Sequence, residues 1–121
     1  IGDPIDIWTF VEQGIDTFDC VSPTRLARHG SALVKGRIGK INLKNSKYRE
    51  KLSPIDKNCL CYTCKNFTVS YLFHLFASQE LLALQLLTNH NIHFMNKLME
   101  TIRKAIKENN YENEKRKWLD G

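Results

Sequence analysis

The sequence lacks any long apolar run, and this absence excludes a membrane-spanning helix from the prediction. A helix needs about 18 to 20 consecutive apolar residues to cross a bilayer, and no segment of the 121 residues supplies them. The first ten residues, IGDPIDIWTF, also lack the basic-then-apolar layout of a secretion signal. They do not begin with Met, so we expect the chain to start inside a longer gene product. We therefore predict a cytoplasmic protein without a membrane partner.

The composition predicts one modest folded domain. Hydrophobic residues make up 42% of the chain and aromatic residues 10%, which is enough for a packed core. Eighteen basic residues against 13 acidic ones give a net charge of +5. Such a surplus favours an anionic partner such as nucleic acid, although a role in solubility explains it equally well.

Three of the four cysteines crowd into the stretch KNCLCYTCKN, as Cys59, Cys61 and Cys64. Only Leu60 separates the first two, so a disulfide between them would strain the loop. A thiol cluster in a chain with no export signal is more often a metal site. The spacing can place three sulfurs around one tetrahedral zinc ion, which needs a fourth ligand from elsewhere in the chain.

His90 is the predicted fourth ligand. It precedes Phe94 and Leu98 at four-residue steps, so we expect it on the packed face of a helix. A buried histidine needs a partner, and a zinc ion would provide one while tying the helix to the cysteine loop. His74, His93 and Cys20 remain alternatives. With four protein ligands the site is closed, so the zinc is predicted to hold structure and not to catalyse.

Asp19 is the candidate catalytic residue. It lies among apolar neighbours in IDTFDCV, which we interpret as a buried strand. A carboxylate near the end of such a strand is costly unless it is paired or functional. Arg25 and Arg28 follow and could bind phosphate or pair with Asp19. From these residues alone, a structural salt bridge is the slightly better explanation. Cys20 reads as a small buried residue.

Periodicity and turn residues predict the remaining elements. The chain is predicted to begin with a helix that ends at Gly14 and is followed by a strand, an order typical of α/β proteins. A hairpin is expected around Lys35 and Gly36, and a helix opened by Thr68 is expected to end near Ser78. SPTRLARHG is interpreted as a polar loop, residues 80–107 as a long helix, and the charged C-terminus as a frayed end.

Five stretches together resemble the C-terminal portion of bacterial tRNA-guanine transglycosylase, also called queuine tRNA-ribosyltransferase. They are, in order, GIDTFDCVSPTRLARHG, INLKNSKYRE, SPIDKNCLCYTCKNF, SYLFHLF and LLTNHNIHFMNKLMETIRKAI. The resemblance covers residues 1–106. It implies a (β/α)8 barrel with a zinc-binding insertion, an enzyme that exchanges guanine at the wobble position of tRNA anticodons for a 7-deazaguanine precursor of queuosine, and a homodimer.

The resemblance also implies roles for individual residues. Asp19 matches the nucleophile that forms a covalent intermediate with the ribose, and Arg25 and Arg28 match positions that contact tRNA. The four residues that match the family's structural zinc ligands are Cys59, Cys61, Cys64 and His90.

The chain departs from the family pattern in three respects. A barrel of this type needs about 250 residues, so the family's second catalytic aspartate and base pocket would lie upstream. Val69 stands where the family commonly has a basic residue, and the hairpin is slightly longer than usual. We therefore expect little activity from the chain alone. A zinc-stabilised RNA-binding module is the alternative function, and pairing with a separate chain that supplies the barrel is a third.

The predicted organisation has four parts. The end of the barrel comes first, followed by the hairpin and its connection, the zinc-binding subdomain with its helices, and a polar tail. These parts span residues 1–30, 31–50, 51–108 and 109–121.

Overall fold

The computed structural model describes Trp8, residues 22–36 and residues 38–120. Helices dominate this part of the chain, and one small sheet accompanies them. In chain order the elements are α1 (Ser22–Arg28), β1 (Ser31–Leu33), β2 (Lys40–Asn42), a 3-10 turn (Ser46–Tyr48), α2 (Tyr62–Asn66), α3 (Val69–Ala77), α4 (Leu81–Lys107) and α5 (Tyr111–Asp120).

The two strands confirm the predicted hairpin. They pair antiparallel, with Ala32 opposite Ile41 at the centre of the ladder. The chain enters β1 through Gly30, whose φ is +79°. This backbone angle favours glycine. A Cβ at that position would come within 2.9 Å of the flexible Lys44 side chain, which would have to shift.

Residues 22–28 form a helix, so the prediction of a polar loop there is wrong. Pro23 lies in the first turn, where its missing N–H costs nothing and its fixed φ suits a helix. Ala27 is fully buried and Leu26 packs against the interior, while Arg25 and Arg28 are exposed. Pro23 and Ala27, four residues apart on one helix face, are both buried, and this burial outweighs the loop-like composition of the segment.

The two helices after the cysteines follow the predicted boundaries. Thr68 caps α3 by accepting a hydrogen bond from the Tyr71 N–H at 3.1 Å. The chain then turns sharply at Gln79, whose φ is +56°, before α4 begins at Leu81. α4 runs 27 residues and contacts α1, α2, α3, α5 and β1, so it is the axis of the described structure.

The charged C-terminus is a packed helix and not a frayed end. Most of its acidic and basic residues are exposed, but Trp118 and Leu119 are buried. The Gly36 N–H donates to the Trp118 carbonyl at 3.0 Å, which joins the end of α5 to the hairpin. Two buried side chains thus fix a segment that composition alone marks as a solvated tail.

Buried residues form two cores on either side of β1. The cysteine-side core contains Ala27, Ala32, Leu43, Tyr48, Ile55, Cys61, Cys64, Val69, Leu72, Leu86 and Leu87. The aromatic core contains Trp8, Leu33, Phe94, Met95, Leu98, Ile102 and Trp118. Consecutive residues of β1 belong to different cores because strand side chains alternate faces. α4 contributes its N-terminal half to the first core and its C-terminal half to the second.

Several predictions lie outside the described residues. They include the strand predicted around Asp19 and Cys20. They also include the helix predicted before Gly14, of which only the buried Trp8 is described. The structure describes a small mixed domain dominated by helices, and no helix in the described ranges is long and apolar enough to cross a membrane.

Candidate metal centre

Local backbone structure gathers the three cysteines. Cys61 is the N-cap of α2, and its sulfur accepts a hydrogen bond from the Cys64 N–H at 3.3 Å. This cap turns the Cys64 side chain back toward Cys61, while Cys59 precedes the turn. Cys61 and Cys64 are buried and Cys59 is half-buried, so the sulfurs point inward from a tight loop.

His90 completes the cluster, as predicted from its place on the packed face of α4. Its side chain is fully buried. The Nδ1 atom lies 3.8 Å from Sγ of Cys59, 3.5 Å from Sγ of Cys61 and 3.3 Å from Sγ of Cys64. All four ligand atoms lie within 4.8 Å of one another.

These distances fit a tetrahedral zinc ion. Bonds of about 2.3 Å to sulfur and about 2.0 Å to nitrogen, at tetrahedral angles, separate the sulfur and nitrogen atoms by about 3.5 Å. The three observed separations bracket that value. Three thiolates and one imidazole are also the donors that zinc prefers, and they leave no position for water. The site is therefore a structural zinc centre, with one ion per chain.

The far side of the imidazole fixes its tautomer. Nε2 lies 2.8 Å from the Leu33 carbonyl, an acceptor, so Nε2 carries the proton and donates it. When zinc is bound, Nδ1 is therefore the nitrogen whose lone pair faces the ion between the sulfurs. A backbone carbonyl behind a ligating histidine orients the ring and raises its basicity.

In the metal-free cluster, the close contacts shift the pKa values of three ligands, Cys61, Cys64 and His90. The Cys64 thiol donates to Cys61 and lowers the pKa of Cys61 far below its usual range, although burial opposes this. The same contact, with burial, raises the pKa of Cys64. Burial lowers the pKa of His90, but its bonds to Cys59 and Cys61 outweigh burial and raise that pKa to about 9. A cluster that holds a negative sulfur beside a proton on imidazole is suited to exchange that proton for a divalent cation.

Two buried polar residues that were not predicted brace the centre. Thr63 of α2 donates to the Leu86 carbonyl of α4 at 2.5 Å, which locks the cysteine turn onto the long helix. Asn91, next to His90, accepts from the Leu33 N–H at 2.9 Å and donates to the carbonyls of Pro23 and Ser31 at 3.1 and 3.0 Å. Its only sequence signal was its position beside a ligand on the packed face of α4.

The other candidate residues lie apart from the cluster. His74 is exposed on α3, and His93 is half-buried on α4 outside the ligand set. Cys20 and Asp19 lie outside the described residues, so the pairing of Asp19 with an arginine stays a prediction. Val69 is fully buried in the first turn of α3 and presents no surface to a partner.

The fold and the site define a helical domain organised by a closed Cys3His zinc centre. The sequence model of the family described as queuine tRNA-ribosyltransferase matches residues 1–121. This chain belongs to that family.

Curated relatives carry the same description. Queuine tRNA-ribosyltransferase of Cyanothece sp. is 50% identical over 109 residues, which cover 90% of this chain and 28% of the relative. The enzyme of Dictyoglomus turgidum is 47% identical over 119 residues, covering 98% of this chain and 30% of the relative. That of Fusobacterium nucleatum is 44% identical over 119 residues, covering 98% and 31%. The chain thus spans less than a third of the length of these relatives.

Proposed function

We propose that this chain is the zinc-bearing C-terminal part of a tRNA-guanine transglycosylase. The complete enzyme would exchange guanine at the anticodon wobble position for a 7-deazaguanine precursor of queuosine. The observation that carries the proposal is the Cys3His centre in a chain that the family matches over residues 1–121. The name of the relatives, queuine tRNA-ribosyltransferase, supports tRNA and a guanine-like base as substrates.

Asp19 is the proposed nucleophile. Its carboxylate would attack C1′ of the ribose as the bond between C1′ and the guanine N9 breaks, and guanine would leave with the electron pair. The incoming base would then attack C1′ and release Asp19. Two displacements at one carbon suit a carboxylate and an oxocarbenium-like transition state.

Arg25 and Arg28 are the proposed tRNA contacts. Both are exposed on α1, and their three-residue spacing places them on the same side of the helix. Asn91 bonds the Pro23 carbonyl at the start of α1, so the helix is fixed to the zinc-bearing α4. Guanidinium groups held in this way can bind adjacent phosphates along an RNA backbone.

The rest of the catalytic machinery would come from upstream. A (β/α)8 barrel takes about 250 residues, and this chain has 121. We propose that residues 1–30 complete such a barrel in the full enzyme, which would act as a cytoplasmic homodimer. The isolated chain would have little or no activity, because the base pocket and second catalytic carboxylate would be missing.

The test is base exchange on unmodified tRNA with labelled guanine. The chain would be assayed alone and with an added polypeptide covering the upstream part of a relative. Incorporation is expected only in the mixture, and Asp19→Asn should abolish it while the nearby Asp16→Asn retains it. Incorporation that survives Asp19→Asn would refute the nucleophile. Turnover by the chain alone would refute its predicted inactivity.

A zinc-stabilised RNA-binding module is the second candidate function. The described residues favour it because they contain two cores and a metal centre of their own. Such a module would bind tRNA without base exchange even when the upstream polypeptide is present. A denaturing gel separates the two functions, since only the enzyme would leave RNA covalently attached to Asp19.

A further inference from the structure

A groove lies beside the zinc loop, enclosed by segments that are far apart in the sequence. Its volume is about 400 Å³. The hairpin contributes Val34 and Lys35, the connection before the cysteines contributes residues 51 and 53–58, and α5 contributes Lys117. The groove exists because α5 packs against the hairpin tip through the bond from Gly36 to Trp118.

Four lysines line this groove against one acidic residue. They are Lys35, Lys51, Lys57 and Lys117, and the acid is Asp56. One Asp56 carboxylate oxygen already accepts a hydrogen bond from the Asn58 N–H at 2.9 Å. The groove therefore has a clear surplus of positive charge.

Among the residues that the structure describes, three of these four lysines have no acidic partner. Lys117 lies 3.6 Å from Glu114, but the Lys117 side chain is 74% exposed, so this pair is weak. Within the described ranges, no carboxylate lies at ion-pair distance from Lys35, Lys51 or Lys57. Lys35 instead lies over the Trp118 ring, 4.9 Å from its centroid, which holds its ammonium at the groove.

We propose that this basic groove, defined by Lys35, Lys51, Lys57 and Lys117, binds the phosphates of an RNA backbone. The inference rests on the proposed function, since it adds a second contact surface for the same RNA. Four like charges that tertiary packing brings together repel one another, and a polyanion relieves that repulsion while releasing its counterions. The charges come from three separate segments and line an open groove, which suits a chain of phosphates better than a single small anion.

The zinc centre should shape this surface. Residues 56–58 form part of the groove wall, and Cys59 follows them directly. The Cys59 N–H donates to the Asp56 carbonyl at 3.1 Å, which couples the wall to the ligand. A ligand held in place thereby fixes the backbone that carries Lys57.

The experiment measures binding of the zinc-loaded chain to fluorescein-labelled unmodified tRNA by anisotropy, between 50 and 200 mM salt. One variant replaces Lys35, Lys51, Lys57 and Lys117 with Gln. The matched control replaces four exposed basic residues outside the groove, Lys65, Arg103, Lys104 and Lys107, with Gln, which removes the same charge. Circular dichroism and zinc content verify that both variants fold.

The groove variant should weaken binding by about tenfold or more. It should also reduce the slope of log K against log salt by about 3, since each of four lost phosphate contacts removes about 0.7 to 0.9. The control should change both much less. Equal losses in the two variants would overturn the groove proposal, as would absence of binding by the wild-type chain at 50 mM salt. Full competition by millimolar inorganic phosphate at constant ionic strength would also overturn it, in favour of a small-anion site.

Failure of the groove and failure of the proposed function are distinguishable. The groove is judged from binding, and the transglycosylase from Asp19-dependent base exchange with the upstream polypeptide. A groove variant that binds normally leaves the base-exchange result untouched. Loss of binding in that variant supports the groove even when no exchange is detected.

Discussion

The cysteine-side core and the aromatic core are stabilised in different ways, although α4 runs through both. The cysteine-side core lies under short elements, including the five-residue α2 and an irregular connection, and it contains the sulfurs of Cys61 and Cys64. In the aromatic core, Trp118 packs edge-on against Phe94 of α4 and in a tilted contact against Trp8. Short segments lose much conformational entropy on ordering and bury little apolar area, so the cysteine-side core needs the metal to be stable. In the aromatic core, the burial of large aromatic rings is sufficient.

The largest expected effect is loss of zinc in Cys64→Ser. Removing one thiolate should release the ion and unfold the loop and α2, because structural zinc in small domains contributes about 10 to 16 kcal/mol. Native mass spectrometry of freshly purified, reduced protein should find one zinc in the wild type and none in the variant, with a lower Tm.

The control for that substitution is His93→Ala, which removes a histidine on α4 outside the ligand cluster. It should retain one zinc. A Cys64→Ser protein that keeps its zinc and its Tm would contradict a metal-dependent cysteine-side core.

Trp118→Ala should weaken the aromatic core and leave the zinc in place. Truncating a buried aromatic side chain costs about 3 to 5 kcal/mol, and Trp118 is only 5% exposed. Urea denaturation measures the loss, and Trp118→Phe should lose less. Zinc release by Trp118→Ala at neutral pH would show that the two regions do not behave independently.

Asn91→Ala tests the boundary between the regions. It would leave the Leu33 N–H and the carbonyls of Pro23 and Ser31 without their partner. Unsatisfied buried groups cost about 1 to 3 kcal/mol each, and partial access of water should limit the total to about 3 kcal/mol. Asn96→Ala, at an exposed position of the same helix, is the matched control in urea denaturation. Equal free energies of unfolding for the two variants would contradict the prediction that the hydrogen bonds of Asn91 stabilise the fold.

The smallest effect expected is a dependence of zinc affinity on pH. The pKa of His90 in the metal-free cluster is raised to about 9. Below that pH the ring therefore holds a second proton, which it must release to bind zinc. The raised pKa of Cys64 acts in the same direction. Apparent zinc affinity should rise at least about tenfold per pH unit between pH 6.5 and 8, because each proton released on binding contributes a factor of about ten per pH unit. Competition against a chelator measures it, and a flat profile would refute the protonated state.

Much of the fold was predictable where one local rule dominated. The hairpin, the Thr68 cap and the bounds of α4 followed from turn residues and helical periodicity. The predictions for residues 22–28 and for α5 were wrong because both segments look solvated in composition. Their helices depend on a few buried side chains, Ala27 in one and Trp118 in the other, and burial cannot be read from composition.

By itself, the sequence identified three cysteine ligands at a spacing typical of zinc and favoured His90 as the fourth. The structure then brought His90 to the three sulfurs. Family membership likewise rests on sequence alone. Only the tertiary structure decided which nitrogen of His90 faces the sulfurs, since the Leu33 carbonyl comes from a distant strand. It also decided the role of Asn91 and the gathering of four lysines around one groove. These features depend on contacts between segments tens of residues apart, and such contacts leave no periodic signal in the chain.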